Sequence, residues 1–316
     1  MNRREFVLSS AAASAAGVLR LNAAPVRAKM SSVGVQLFSM PKLLERDFRA
    51  GIAMLAQMGY SEVELFGPFP FSDPEAIARW NAITPQLGFS GSGYFGNSAK
   101  QVRVILDENH ITAPSVHTDL ATLQKGIGRL GEAGSALGFT YVVLPAIPDE
   151  LRRNLDDYKK MADAFNKIGE QAKSVGLKFA YHNHGYGLQE MDGTVPLRLL
   201  LEQTDPNLVF FEMDIFWTAA GGADPVELLR TNPGRYQLMH VKDMKEKKTV
   251  SGDGGDSRQW IELFPNMTTA GDGVMNLREI VAAGRRSGVQ HFFVEQDMVA
   301  NPEIALKRSF DYVKAL

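Results

Sequence analysis

The chain has 316 residues, is 45% hydrophobic, carries 34 Lys and Arg against 36 Asp and Glu, and contains no cysteine. That length suits one large domain with a full core. The missing cysteines exclude disulfides and thiolate ligands, so any metal must be held by His, Asp and Glu. The slightly acidic balance argues against a nucleic-acid or anionic-lipid partner.

The first 28 residues read MNRREFVLSSAAASAAGVLRLNAAPVRA. Arg3-Arg4, then Phe6 and an Ala-rich apolar run, predict a twin-arginine export signal with a cleavage point after Ala28. An amphipathic helix or an uncleaved anchor is the other reading. The run is broken by Ser10, Ser14 and Arg20 and falls short of the roughly 18 to 20 residues a membrane span needs, so no stable membrane insertion is expected after cleavage. Cleavage would leave residues 29–316 as a single periplasmic domain of about 288 residues with a net charge of about −5.

From there short β-rich runs alternate with longer helical patterns. Val33–Phe38, Glu62–Gly67, Ala113–Thr118 and Tyr141–Ile147 are the first four expected strands. Lys178–Asn183, Val209–Phe216, Tyr236–Asp243 and His291–Asp297 are the second four. The intervening RDFRAGIAMLAQMG, LDDYKKMADAFNKIGEQAKSVG and VPLRLLLEQT have helical periodicity, and several stop at Gly. Such alternation demands parallel strands with right-handed crossovers, and eight units predict a closed α/β (β/α)8 TIM barrel. An open doubly wound sheet would want a Gly-rich turn after the first strand, and LFSMPKLL offers none. The longest interruption, Met244 to Val274, carries KEKK and two GDG sequences and reads as an enlarged loop whose glycines would allow closure over a substrate.

In such a barrel the chemistry sits at the C-terminal strand ends. Four strands of the second half each deliver a late polar residue there: His182, Asp214, His240 and Glu295. Two imidazoles and two carboxylates make a ligand set for one divalent ion, Mn²⁺, Zn²⁺, Co²⁺ or Fe²⁺. Taken singly, each has a plainer explanation; Asp214 in MDIFW could cap a helix, and Glu295 could be solvated. The stretch AYHNHGYG divides by the two-residue strand period. His182 lies level with the other candidate ligands, and His184 one pleat, roughly 6 to 7 Å, further out, on the substrate side or capping the loop. Glu295 is the expected general base and touches the metal, with His182 or His184 relaying a proton. Lys242 either neutralises an oxyanion or pairs with Asp243. His117 and Glu64 in the first half are expected to face the same mouth and either to bind substrate or to hydrogen-bond within the core, and Phe38, Phe66, Tyr186, Phe216 and Trp217 to supply apolar surface near the rim or simply core.

The sequences GVQLFSM, VELFG, AYHNHG, MDIFW, MHVKDM, GDGVMN and VEQD resemble the xylose isomerase-like barrel superfamily, in particular its sugar phosphate isomerase/epimerase group, over essentially the whole mature chain. The resemblance implies one divalent metal held by Asp214, His240 and Glu295. It also implies movement of a proton next to a sugar carbonyl through an enediolate. The remaining family ligand is a Glu, and His182 stands in its place, which removes one of the two glutamates that sugar epimerases of this kind use.

A metal-dependent sugar isomerase or epimerase is therefore the first expectation. A lyase or hydratase cleaving 3-keto-glycosides by β-elimination is the alternative, because an exported protein meets few phosphorylated sugars and the second glutamate is absent. A DNA-repair endonuclease would need more ligands and a basic face, and a non-catalytic sugar-binding protein would not need the ligand set. A small-molecule sugar or oxidised glycoside is thus the expected partner, and nothing in the sequence excludes a homo-oligomer.

Overall fold

A computed structural model describes Met30 and residues 32–316. The expected export signal, residues 1–28, lies outside the described residues. Eight parallel strands close into one barrel: β1 (Gly34–Gln36), β2 (Glu62–Phe66), β3 (Thr112–His117), β4 (Tyr141–Leu144), β5 (Lys178–His182), β6 (Val209–Asp214), β7 (Tyr236–Val241) and β10 (His291–Val294). Two short strands, β8 (Asp243–Met244) and β9 (Met267–Thr268), form a separate antiparallel pair between β7 and β10. The barrel strands are almost wholly buried because helices cover them outside and side chains fill them inside, so they read as near-continuous apolar runs.

The helices start and stop where local chemistry dictates. Asp47 caps Phe48–Met58 by accepting from Ala50 N at 2.9 Å, and Gly59, at φ 105°, ends it in the left-handed conformation that costs glycine least. Leu155–Ser174 turns Tyr158, Met161, Ala162, Phe165, Ile168 and Ala172 inward at helical spacing. Among the described residues no helix is long and apolar enough to cross a membrane.

The strands are shorter than their apolar runs. β4 ends at Leu144 because Pro145 has no N–H to continue the ladder. β6 ends at Asp214 because that side chain caps the helix Ile215–Ala220 through Trp217 N at 2.9 Å. Inside the barrel, Tyr141, Val143, Ala180, Leu238 and Phe293 form an apolar layer. Polar residues of the next layers stand above it, toward the C-terminal strand ends.

The Met244–Val274 insertion is more than a loop: it holds β9 and the helix Ser257–Leu263, and it packs Met244 and Met267 against Phe216 and Trp217 in a small core. Asp243 anchors its base. The buried carboxylate accepts from Met244 N (2.8 Å), Gly271 N (2.9 Å), Gly273 N (3.1 Å) and Met275 N (3.2 Å). It is fully engaged by the GDGVMN turn, so Asp243 is not the partner of Lys242. A Cβ on Gly273 would collide with the same carboxylate. Asp243→Asn should cost at least ~2 kcal/mol in urea unfolding, because the amide turns an NH₂ toward donors that then lack an acceptor.

Candidate active site

The rim residues reach one place because the register aligns them. His182 pairs with Glu212, and Asp214 with His240, across neighbouring strands. The inward side chains make two tiers joined by His240, a lower one of Glu64, His117, His182 and Glu212 and an upper one of Asp214, Lys242, Glu295 and Asp297.

In the lower tier Glu64 is fully buried. It accepts from Gln36 Nε2 at 2.7 Å, from Ser115 Oγ and from His240 Nε2 at 2.6 Å, with His117 Nε2 at 3.2 Å. Glu212 Oε2 accepts from His117 Nε2 at 2.7 Å and from His182 Nδ1 at 2.9 Å. Burial resists the charge on both carboxylates, but the imidazoles around them hold both below the usual range. Burial likewise opposes a charge on His117, and Glu64 and Glu212 overcome it, raising that group to about 9. The expectation that Glu64 meets substrate at the mouth is corrected: every atom is covered and its lone pairs are engaged from within the barrel.

In the upper tier His240 Nδ1 lies 2.7 Å from Glu295 Oε2 and 3.9 Å from Asp214 Oδ2. His182 Nε2 is 3.7 Å from the same Asp214 oxygen. Lys242 Nζ donates to Asp297 Oδ2 at 2.7 Å and stands 2.7 Å from Glu295 Oε2 and 3.0 Å from Asp214 Oδ2. Lys242 thus meets three carboxylates. They outweigh its burial and hold it well above the usual lysine range, while Glu295, despite burial, is held below the usual carboxylate range by Lys242 and His240. Burial and then Glu295 push Asp297 up to about 7.

These donors suit a divalent ion. Ligands 2.0–2.2 Å from one ion stand roughly 3 to 4 Å apart, and the separations around Asp214 Oδ2 fall in that span. That oxygen is buried and accepts no hydrogen bond. Asp214, His240 and Glu295 together form a cluster with mutually close ligand atoms, with His182 adjoining it. Asp214 is also the helix cap, one oxygen for each task.

Above the tiers opens a cavity of about 660 Å³, with His117, His182, His184, Lys242, Glu295 and Asp297 on its inner surface. His184 lies beyond the end of β5 on the cavity wall, stacked on Trp260 with ring centroids 4.5 Å apart and near Trp217 at 5.5 Å. Burial, then the Lys242 charge, lower its pKa to about 3, so it offers a neutral ring. Of the expected aromatics, Trp217, Phe38 and Phe66 line the cavity. Phe216 packs into the small core, and the Tyr186 hydroxyl accepts from Ile147 N at 2.7 Å.

Sequence reasoning passed over Glu212 and Asp297. Each lies two residues from a singled-out carboxylate, on the same strand face, and the period that linked His182 to His184 would have found both. Trp260 came from the insertion, where no periodicity pointed inward.

The Xylose isomerase-like TIM barrel family matches residues 52–316, and the chain belongs to it. A sugar phosphate isomerase/epimerase from Parabacteroides distasonis ATCC 8503 has the same fold, with a TM-score of 0.69 at 23% identity over 92% of this chain and 96% of that one. The IolI protein, solved with a binding zinc atom, gives a TM-score of 0.65 at 13% identity over 90% and 98%. Inosose dehydratase 2 of Bacillus cereus is 31% identical over 169 residues, 51% of this chain and 55% of that protein. The inosose dehydratase of Clostridium tetani is 33% identical over 160 residues, 48% and 52%. The chain spans about half the length of the curated relatives it matches.

His117 is the cation between two buried carboxylates. His117→Gln should destabilise the metal-free protein by about 3 to 5 kcal/mol in urea unfolding. Adding Glu212→Gln should recover part of that loss.

Proposed function

We propose that this chain is a divalent-metal-dependent enzyme that removes the proton next to the carbonyl of a sugar or cyclic polyol and then expels a β-substituent, as a dehydratase or keto-glycoside lyase. The observation that carries the reading is the convergence of His182, Asp214, His240 and Glu295 with Lys242 at the floor of one cavity. His182, Asp214, His240 and Glu295 would hold the ion, which would polarise the carbonyl and stabilise the enediolate. Glu295 alone of the four has a carboxylate facing the cavity and would take the proton. Lys242, beside it, would balance the oxyanion charge. Trp217, Trp260 and the neutral ring of His184 would orient a pyranose or cyclohexane face and exclude water. The relatives named inosose dehydratase support elimination as the outcome.

The same first step would serve isomerisation or epimerisation. Asp297 favours that second reading, because a second carboxyl beside Lys242 could return the proton at a neighbouring carbon. The twin-arginine reading of residues 1–28 would put the substrate outside the cytoplasm, and replacing Arg3-Arg4 by two lysines should keep a fused reporter in the cytoplasmic fraction.

Elemental analysis should find about one divalent ion per chain, and Asp214→Ala or His240→Ala should lose it. Glu295→Gln should lower turnover by about 10²- to 10⁴-fold while retaining more metal than either. NMR in D₂O with an inosose, a 3-keto-glucoside and free ketoses would separate the outcomes. Loss of water or aglycone with exchange at the α carbon supports elimination. Exchange with a rearranged free sugar supports isomerisation, and turnover of all three by metal-free protein would overturn the metal reading.

A further inference from the structure

His182 and His240 each present their two ring nitrogens to different tiers. His182 turns Nε2 to Asp214 Oδ2 (3.7 Å) and Nδ1 to Glu212 Oε2 (2.9 Å). His240 turns Nδ1 to Glu295 and Asp214 (2.7 and 3.9 Å) and Nε2 to Glu64 Oε2 (2.6 Å). A neutral imidazole carries one N–H and one lone pair, and the partner of one nitrogen decides which nitrogen keeps the lone pair. We propose that Glu212 and Glu64 are positioning residues that hold the N–H of His182 at Nδ1 and that of His240 at Nε2, so that both rings aim a lone pair at the cation site. The inference rests on the metal reading above.

Neither carboxylate can act on substrate, because both are fully buried beneath the cavity. Both are themselves fixed. Gln36 and Ser115 hold Glu64, and His117 lies between the two, 3.2 Å from Glu64 and 2.7 Å from Glu212. His117, His182, Glu212 and His240 also have mutually close ligand atoms. An ion among those four would take Nδ1 of His182 and Nε2 of His240. With the upper site filled as well, both rings would lose their only N–H, which imidazole gives up reluctantly. A carboxylate accepting the N–H instead makes the opposite nitrogen more basic and fixes the ring plane.

The test is zinc binding by competition with a chelator, together with ¹⁵N NMR of histidine-labelled protein. Glu212→Leu should weaken Zn²⁺ by about 10- to 100-fold and move the His182 proton from Nδ1. Glu212→Gln keeps an acceptor and should retain the tautomer with a smaller loss. Wild-type affinity in Glu212→Leu would overturn the inference. Should that variant not fold, the wild-type spectrum decides it, since a His182 proton on Nε2 in the zinc-loaded protein is incompatible with the proposal. If the wild-type chain binds no zinc, the metal reading fails while the metal-free tautomers still decide this one, with Nδ1–H on His182 in support and Nε2–H against.

Discussion

The upper half of this barrel depends on mutual compensation of buried charge. Glu64, Glu212, Asp214 and Glu295 all lie inside the barrel, where a lone carboxylate could not stay ionised. Each is opposed by a cation or an N–H: His117 and His240 beneath, Lys242 above. The apolar layer of Tyr141, Val143, Ala180, Leu238 and Phe293 below excludes water from the network, which strengthens each contact and also raises the penalty for losing one. His240 is the hinge of this arrangement, with one nitrogen in each tier, and its ring lies parallel to that of His117 with centroids 5.2 Å apart.

The wall over this floor is fixed by contacts of the same kind. Buried Arg152 donates to Ile147 O at 2.9 Å and to Gly255 O at 2.8 Å, and lies 4.0 Å over the Tyr186 ring. It ties the loop after β4 to the glycine turn of the Met244–Val274 insertion. Trp260, whose Nε1 donates to Gly254 O at 2.8 Å, is thereby set against His184. Asp243 fastens the other end of the insertion. A segment that reads as a glycine-rich loop is therefore held by buried polar groups on two sides, which fits a preformed cavity wall.

The fold was legible because its signal is local. Eight apolar runs separated by helical periods leave few topologies, and the rim residues His182, Asp214, His240 and Glu295 each end a run that cannot solvate them. What stayed hidden was depth. Glu64 looks like a strand-end residue in VELFG, but the β2–β3 register sets it beside Ser115, where His240 also closes on it. Whether a side chain faces the cavity or lies beneath it depends on stagger between strands distant in sequence, which no run of letters encodes. Trp260 was hidden for another reason: it sits in an insertion whose glycine turn is held by Arg152, more than a hundred residues earlier.

Charge counting explains why a lysine sits in the middle of the proposed ligands. Asp214 and Glu295 carry two negative charges, enough to neutralise one divalent ion, while His182 contributes a neutral ring whose pKa burial lowers well below the usual range. Lys242 would then be one positive charge too many, were it not for Asp297. The ammonium donates to Asp297 at 2.7 Å and stands equally close to Glu295, at 2.7 Å, and 3.0 Å from Asp214. An ion held by Asp214 and Glu295 would repel the nearby ammonium and favour its pairing with Asp297 over the ligands. The pair Lys242–Asp297 would then be a neutral unit beside such an ion. Its ammonium lines the cavity, where negative charge would develop on the substrate.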